Sequence, residues 1–151
     1  MATLKVRIKE NMMLDNYFHD SVNTLTIDSI DEIYQRTVDC AASQTTTIAV
    51  FNDNSYGAAG AIDIQDSKYI RITNKDSTNS IEIAVVGNSS TEGLYQIKLD
   101  AGYSHIIMGA DNIILCEEDT SPSFATLGDL SSIQVNPGSN QVKVEIFIAS
   151  A

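Results

Sequence analysis

The chain has 151 residues, 43% of them apolar, which fits one domain large enough to bury a core. Nine Lys and Arg against 20 Asp and Glu give a formal net charge of -11. That balance disfavours binding to a nucleic-acid backbone or an anionic membrane surface, because both need clustered cations.

The first expected element is a strand. Leu4, Val6 and Ile8 alternate with Lys5, Arg7 and Lys9, so a basic face stands opposite an apolar one. The cations either guard a sheet edge or meet an acidic neighbour such as another subunit. Met12, Met13, Leu14, Tyr17 and Phe18 then form a dense apolar patch among Asn and Asp. Closing one end of the core is the favoured reading of this patch, and an arm that docks on a partner is the alternative. Residues 1–24 are thus a strand with a possible docking arm, within one domain spanning 1–151. Around Ile30, Asp28-Ser29 could cap a helical turn, and a strand-turn-strand fits as well.

Residues 34–40 and 45–51 read as strands, rich in β-branched side chains at alternate positions. Residues 52–60 form a loop by composition, with Tyr56 as a candidate contact residue. Residues 68–87 hold two alternating runs around a polar cluster, the pattern of an antiparallel hairpin. A meander is expected next: 94–99 with Tyr95, Ile97 and Leu99 inward, then 103–108, then 112–116. After a loop over 117–129 come strands at 132–135 and 142–149. In the last of these Val142, Val144, Ile146 and Ile148 share a face, and Phe147 on the other face implies that this side is partly covered. About nine or ten strands with scarcely any helical periodicity indicate an all-β, antiparallel β-sandwich or jelly-roll-like domain.

Catalytic signals are weak. Cys40 and Cys116 are far apart and read as buried thiols, and too few ligands accompany them and His19 and His105 for a metal site. There is no Gly-x-Ser-x-Gly elbow and no phosphate-binding loop, and both histidines read as structural or surface residues. Ca²⁺ is the most plausible ion, through 52–54 or 117–119, but a solvated acidic loop is the favoured reading, so no cofactor is expected. Asn88-Ser89-Ser90 fits a glycosylation sequon, but residues 1–9 lack the apolar run of a secretory signal. No apolar run approaches the ~20 residues of a membrane span. The expectation is a non-enzymatic protein assembled in a cytoplasm.

The segment Tyr69-Ile70-Arg71-Ile72-Thr73-Asn74-Lys75-Asp76-Ser77-Thr78-Asn79, followed by Lys98-Leu99-Asp100-Ala101-Gly102-Tyr103-Ser104, resembles a group of small tailed-bacteriophage virion proteins. Leu4 to Lys9 and Ile30 to Arg36 look similar too, and the resemblance covers roughly residues 30 to 116. It implies a structural protein of the phage particle, most simply a capsid decoration (cement) protein on the shell exterior that binds the major capsid protein. Tail, connector and fibre-base roles are the alternatives. A homo-oligomer, with a trimer as the guess, would suit the capsid's threefold positions. Lys5, Arg7 and Lys9, with Met12, Met13, Leu14, Tyr17 and Phe18, are the expected contact residues. A glycan- or host-surface-binding module would instead use Tyr56, Tyr95 or Tyr103. A small hydrolase would need His19 or His105 in a pocket with a carboxylate.

Overall fold

Alternating Val and Ile residues in four of the strands fill one shared interior. Val144, Ile146 and Ile148 from one sheet, with Ile70 and Ile72, are completely buried. Across from them Ile83, Val85, Ile133 and Val135 are buried equally. Each such side chain contributes about 1.5–3 kcal/mol by leaving water. The architecture is all-β, seen in a computed structural model described for residues 1–53, 60–88, 93–117 and 121–151.

Eleven strands occur among the described residues: β1 (Ala2–Leu14), β2 (Tyr17–Ile30), β3 (Glu32–Cys40), β4 (Thr46–Asn52), β5 (Ile62–Asp63), β6 (Ser67–Asn74), β7 (Ile81–Gly87), β8 (Leu94–Leu99), β9 (Ser104–Ile107), β10 (Leu130–Asn136) and β11 (Val142–Ser150). One sheet has the order β3-β11-β6-β9 and the other β5-β4-β10-β7-β8. All pairings are antiparallel except the short β4–β5 contact. Counting the eight long strands from β3 onward, the sheets read 1-8-3-6 and 2-7-4-5, the connectivity of a jelly roll.

That connectivity corrects one expectation. Residues 68–87 are not a hairpin, because β6 and β7 lie in opposite sheets. The polar cluster between them is an arch over the end of the sandwich. Period-2 alternation gives each strand a core face, but it does not say which strand is the neighbour. The arch is held from inside by Asn74, which is completely buried. Its Nδ2 donates to the carbonyls of Asn79 (2.8 Å) and Leu99 (3.1 Å), and its Oδ1 accepts from the Asp76 amide at 3.0 Å. Asp76 Oδ1 in turn accepts from the amides of Thr78 (2.8 Å) and Asn79 (2.7 Å). The second arch, β8 to β9, ties to the same residue. The Gly102 amide donates to the Asn74 carbonyl, and the Asn74 amide donates to the Tyr103 carbonyl, both at 3.0 Å. Gly102 has φ +80°, a conformation that favours glycine.

One further expectation changes, and two are sharpened. Residues 112–116 make only an isolated bridge from Ile114 to Gly128 and no strand. Ile97 is exposed, since β8 is the edge of its sheet. Around Ile30 the strand-turn-strand alternative is the one found, with Ser29 (φ 65°) at the bend.

Candidate functional site: a projecting hairpin arm

Among the described residues β1 and β2 pair only with each other, from Ala2↔Ile30 to Leu14↔Tyr17. The turn between them is Asp15-Asn16, both with positive φ (50° and 66°). Two successive left-handed residues make a type I′ turn, whose twist matches that of the flanking strands, and Asp and Asn tolerate that conformation best among residues with a Cβ. The result is a long two-stranded ribbon.

Directly opposed residues of an antiparallel pair share a face. On the underside, Leu4 and Val6 stand beside Ile27 and Leu25. Leu4, Val6 and Ile27 pack on Tyr69, Ala149 and Phe147, which lie on the outer side of β6 and β11. Phe147 is therefore covered, as its place on a nominally wet face implies. Tyr69 and Phe147 meet edge to face, with centroids 6.1 Å apart. The Arg71 guanidinium lies 5.8 Å from the centre of the Phe147 ring and is anchored by Glu145 at 2.6 Å. Burial pushes the Tyr69 phenol above its ordinary range, with Arg71 pulling the other way. Beyond this seat the ribbon lifts away. It leaves an apolar cleft of about 350 Å³ that Ile8, Leu25, Ile106 and Met108 help to line.

The distal arm touches no core. Met12, Met13 and Leu14 are more than half exposed, and Tyr17 and Phe18 are 73% and 75% exposed. The favoured expectation that this patch closes the core is thus overturned. A two-residue turn between long strands carries the apolar residues outward, away from either sheet. Met12, Leu14 and Tyr17 continue the underside, while Met13 and Phe18 sit on the outer face.

Lys5, Arg7 and Lys9 are also on the outer face, opposite Thr26, Thr24 and Val22. They are exposed, and none makes an ion pair among the described residues. The sequence reading placed this basic face correctly. It missed that Glu10, Asp15 and Asp20 fall in the distal half, while Asp28, the arm's remaining acid, stands at the root and accepts a hydrogen bond from the Thr3 hydroxyl at 3.0 Å. The signal was available: Asp-Asn between two apolar-bearing runs is hairpin-turn chemistry, and it fixes the register of everything around it.

Other candidate residues are not brought together. Tyr56 lies outside the described residues, as do Asn54, Ser89, Ser90, Glu118 and Asp119. Tyr103 is exposed, but Tyr95 is partly buried and its hydroxyl is 3.0 Å from His105 Nε2. His105 thus bridges the edges of the two sheets through a phenol, and its ring meets Tyr95 edge to face. Burial lowers the His105 pKa and raises that of Tyr95. His19 lies on the arm opposite Met12. Cys40 is buried and Cys116 half-buried, both as free thiols, and burial raises the Cys40 pKa. Glu117 accepts a hydrogen bond from the Ser123 amide at 2.9 Å, and Asp53 accepts one from Gln65 at 3.4 Å. Among the described residues no group of three or more His, Cys, Asp or Glu is placed to hold a metal ion. No helix there is long and apolar enough to cross a membrane.

No protein-family model matches the chain, and no curated protein matches it. A solved chain from Bacillus endospore appendages, described as a novel family of disulfide-linked pili, aligns over 79% of this chain and 88% of its own. The identity is 13% and the TM-score 0.41, too distant a likeness to bear on function.

Proposed function

We propose that this protein is a non-enzymatic structural component of a tailed-phage virion: a capsid decoration protein that docks on the major capsid protein and stabilises the shell from outside. The observation that carries the reading is the arm. It holds Met12, Met13, Leu14, Tyr17 and Phe18 in solvent, with no contact that the fold requires. A contiguous exposed apolar patch of this kind marks an interaction surface, and aromatic and Met side chains are those enriched in interface cores.

The rest of the molecule suits such a part. The jelly roll is a stiff body closed by Asn74 and its arches. The Tyr69–Asn79 and Lys98–Ser104 segments that resemble phage virion proteins build those arches, so the resemblance lies in the frame of the fold. Repetition on a lattice multiplies weak single contacts by avidity, so each arm need bind only modestly. The underside stripe of Met12, Leu14 and Tyr17 is the adhesive surface for the shell.

The test is to mix purified protein with assembled capsids and measure co-sedimentation and capsid melting. The wild type is expected to saturate the capsids and raise their melting temperature. The variant M12S/L14S/Y17S is expected to fold and yet lose both effects. Binding to tails or connectors and none to capsids would move the protein to that part of the particle.

A further inference from the structure

The outward face of the arm has a gradient of charge. Beyond Asp28 at the very root, which is tied to the Thr3 hydroxyl, its near half carries Lys5, Arg7 and Lys9, and its far half carries Asp20, beside Asn11, and Asp15 at the turn. Phe18 and Met13 lie between those two acids, and Phe18 is 75% exposed. A surface that is basic at one end and acidic at the other is complementary to itself when reversed.

We propose that the arms of two copies of this chain pair face to face and antiparallel about a two-fold axis, Lys9 of each opposite Asp20 of the other. The register follows from the pleat. Outer-face positions on β1 recur every second residue, and Asn11 stands beside Asp20, Met13 beside Phe18. Setting Lys9 against the Asn11–Asp20 position puts Arg7 over the Met13–Phe18 position, within reach of the Phe18 ring, and Lys5 beside the turn Asp15. Each contact occurs twice, as an isologous interface requires. The ion pairs are joined by a cation–π contact, and Arg is the cation that stacks best on an aromatic face.

The footprint is small but adequate. A ribbon about 10 Å wide and about 35 Å long buries on the order of 1,000 Å² in total, the lower end of a specific interface. A second copy is the occupant that this charge order fits. A uniformly acidic partner would repel Asp15 and Asp20, and a uniformly basic one would repel Lys5, Arg7 and Lys9. The pairing uses the outer face only, so the underside stripe stays free. It does not depend on which particle the protein joins.

Sedimentation equilibrium of the full chain tests the proposal, with the wild type expected to pass from monomer to dimer as concentration rises. Lys9→Asp and Asp20→Lys are each expected to weaken the dimer about tenfold or more. Mixing the two variants restores attraction at both symmetry-related contacts, and so does combining the changes in one chain. Both sites are on the exposed arm, so unchanged melting of the body verifies folding. A wild type that stays monomeric throughout would overturn the proposal, as would a dimer indifferent to either reversal. Loss of capsid binding in Lys9→Asp, with a monomeric wild type, would instead assign this face to the capsid protein.

Discussion

Asn74 has no room to be anything else. Its amide nitrogen satisfies one buried and one partly buried carbonyl, and its amide oxygen starts the Asp76 turn. Asn74→Ala leaves the carbonyls of Asn79 and Leu99 short of a donor, at a cost of about 2–4 kcal/mol. Denaturant unfolding should show a lower midpoint with little change in slope, and a variant as stable as the wild type would mean that water replaces the side chain. Asn74→Asp should be no better, since a carboxylate offers no donor to either carbonyl. This role was half visible in the sequence. Asn, Asp, Thr and Asn at 74, 76, 78 and 79 announce a turn, because each can bond its own backbone. That the turn crosses between sheets was not visible, since nothing in six polar residues states where the next strand will pair.

At the scale of elements, the arm and the body should differ sharply in protection. The body strands are buried on one face and mostly paired on both edges. The arm is a two-stranded ribbon with both edges unpaired, a structure that is marginal in water when nothing covers it. Only its root, at Leu4, Val6 and Ile27, is seated on Tyr69 and Phe147. Amide hydrogen exchange at low protein concentration should therefore be fast over residues 9–22 and slow in β6, β7, β10 and β11. At high concentration or on a partner, the arm should become protected. Equal protection of arm and body in dilute solution would mean that the ribbon is stable by itself. The strands of the body were legible because one-sided burial imprints alternation, as in Val142 to Ile148. The arm was not, because its apolar residues serve a surface rather than a core. By composition alone, Met12 to Phe18 looks like core.

Across the whole molecule, charge and burial set opposite trends with pH. Six of the nine basic and 16 of the 20 acidic residues follow Ile30, leaving that part at -10. Protonating carboxylates relieves this self-repulsion. His105 works against that relief. Burial lowers its pKa, so the unfolded chain takes up the proton first on acidification. Its contribution is intact above the ordinary value near 6.5 and is lost as pH falls through the folded value. Asp76 has the same sign in a lower window, because the amides of Asn79 and Thr78 hold its pKa below the ordinary carboxylate value. Comparing the wild type with His105→Gln cancels the shared background. The variant should lose less stability between neutral pH and pH about 5, as read from unfolding free energies across that range. A slope identical to the wild type would mean that His105 protonates as readily folded as unfolded.

The strand order also governs how the protein can be made. β10 and β11, the last two strands in the sequence, lie inside their sheets: β11 joins β3 to β6, and β10 joins β4 to β7. On the ribosome, β3 therefore emerges early with no neighbour to pair with, and β4 with only the two-residue β5. The sheet around β10 cannot close until residue 136 has cleared the exit tunnel, nor the sheet around β11 until residue 150 has. The ribbon of β1 and β2, which needs only local contacts, can form long before. A nascent chain of this protein thus displays its arm first and its core last, with unpaired strands waiting over the roughly ten seconds that the intervening residues take at about 5–20 residues per second.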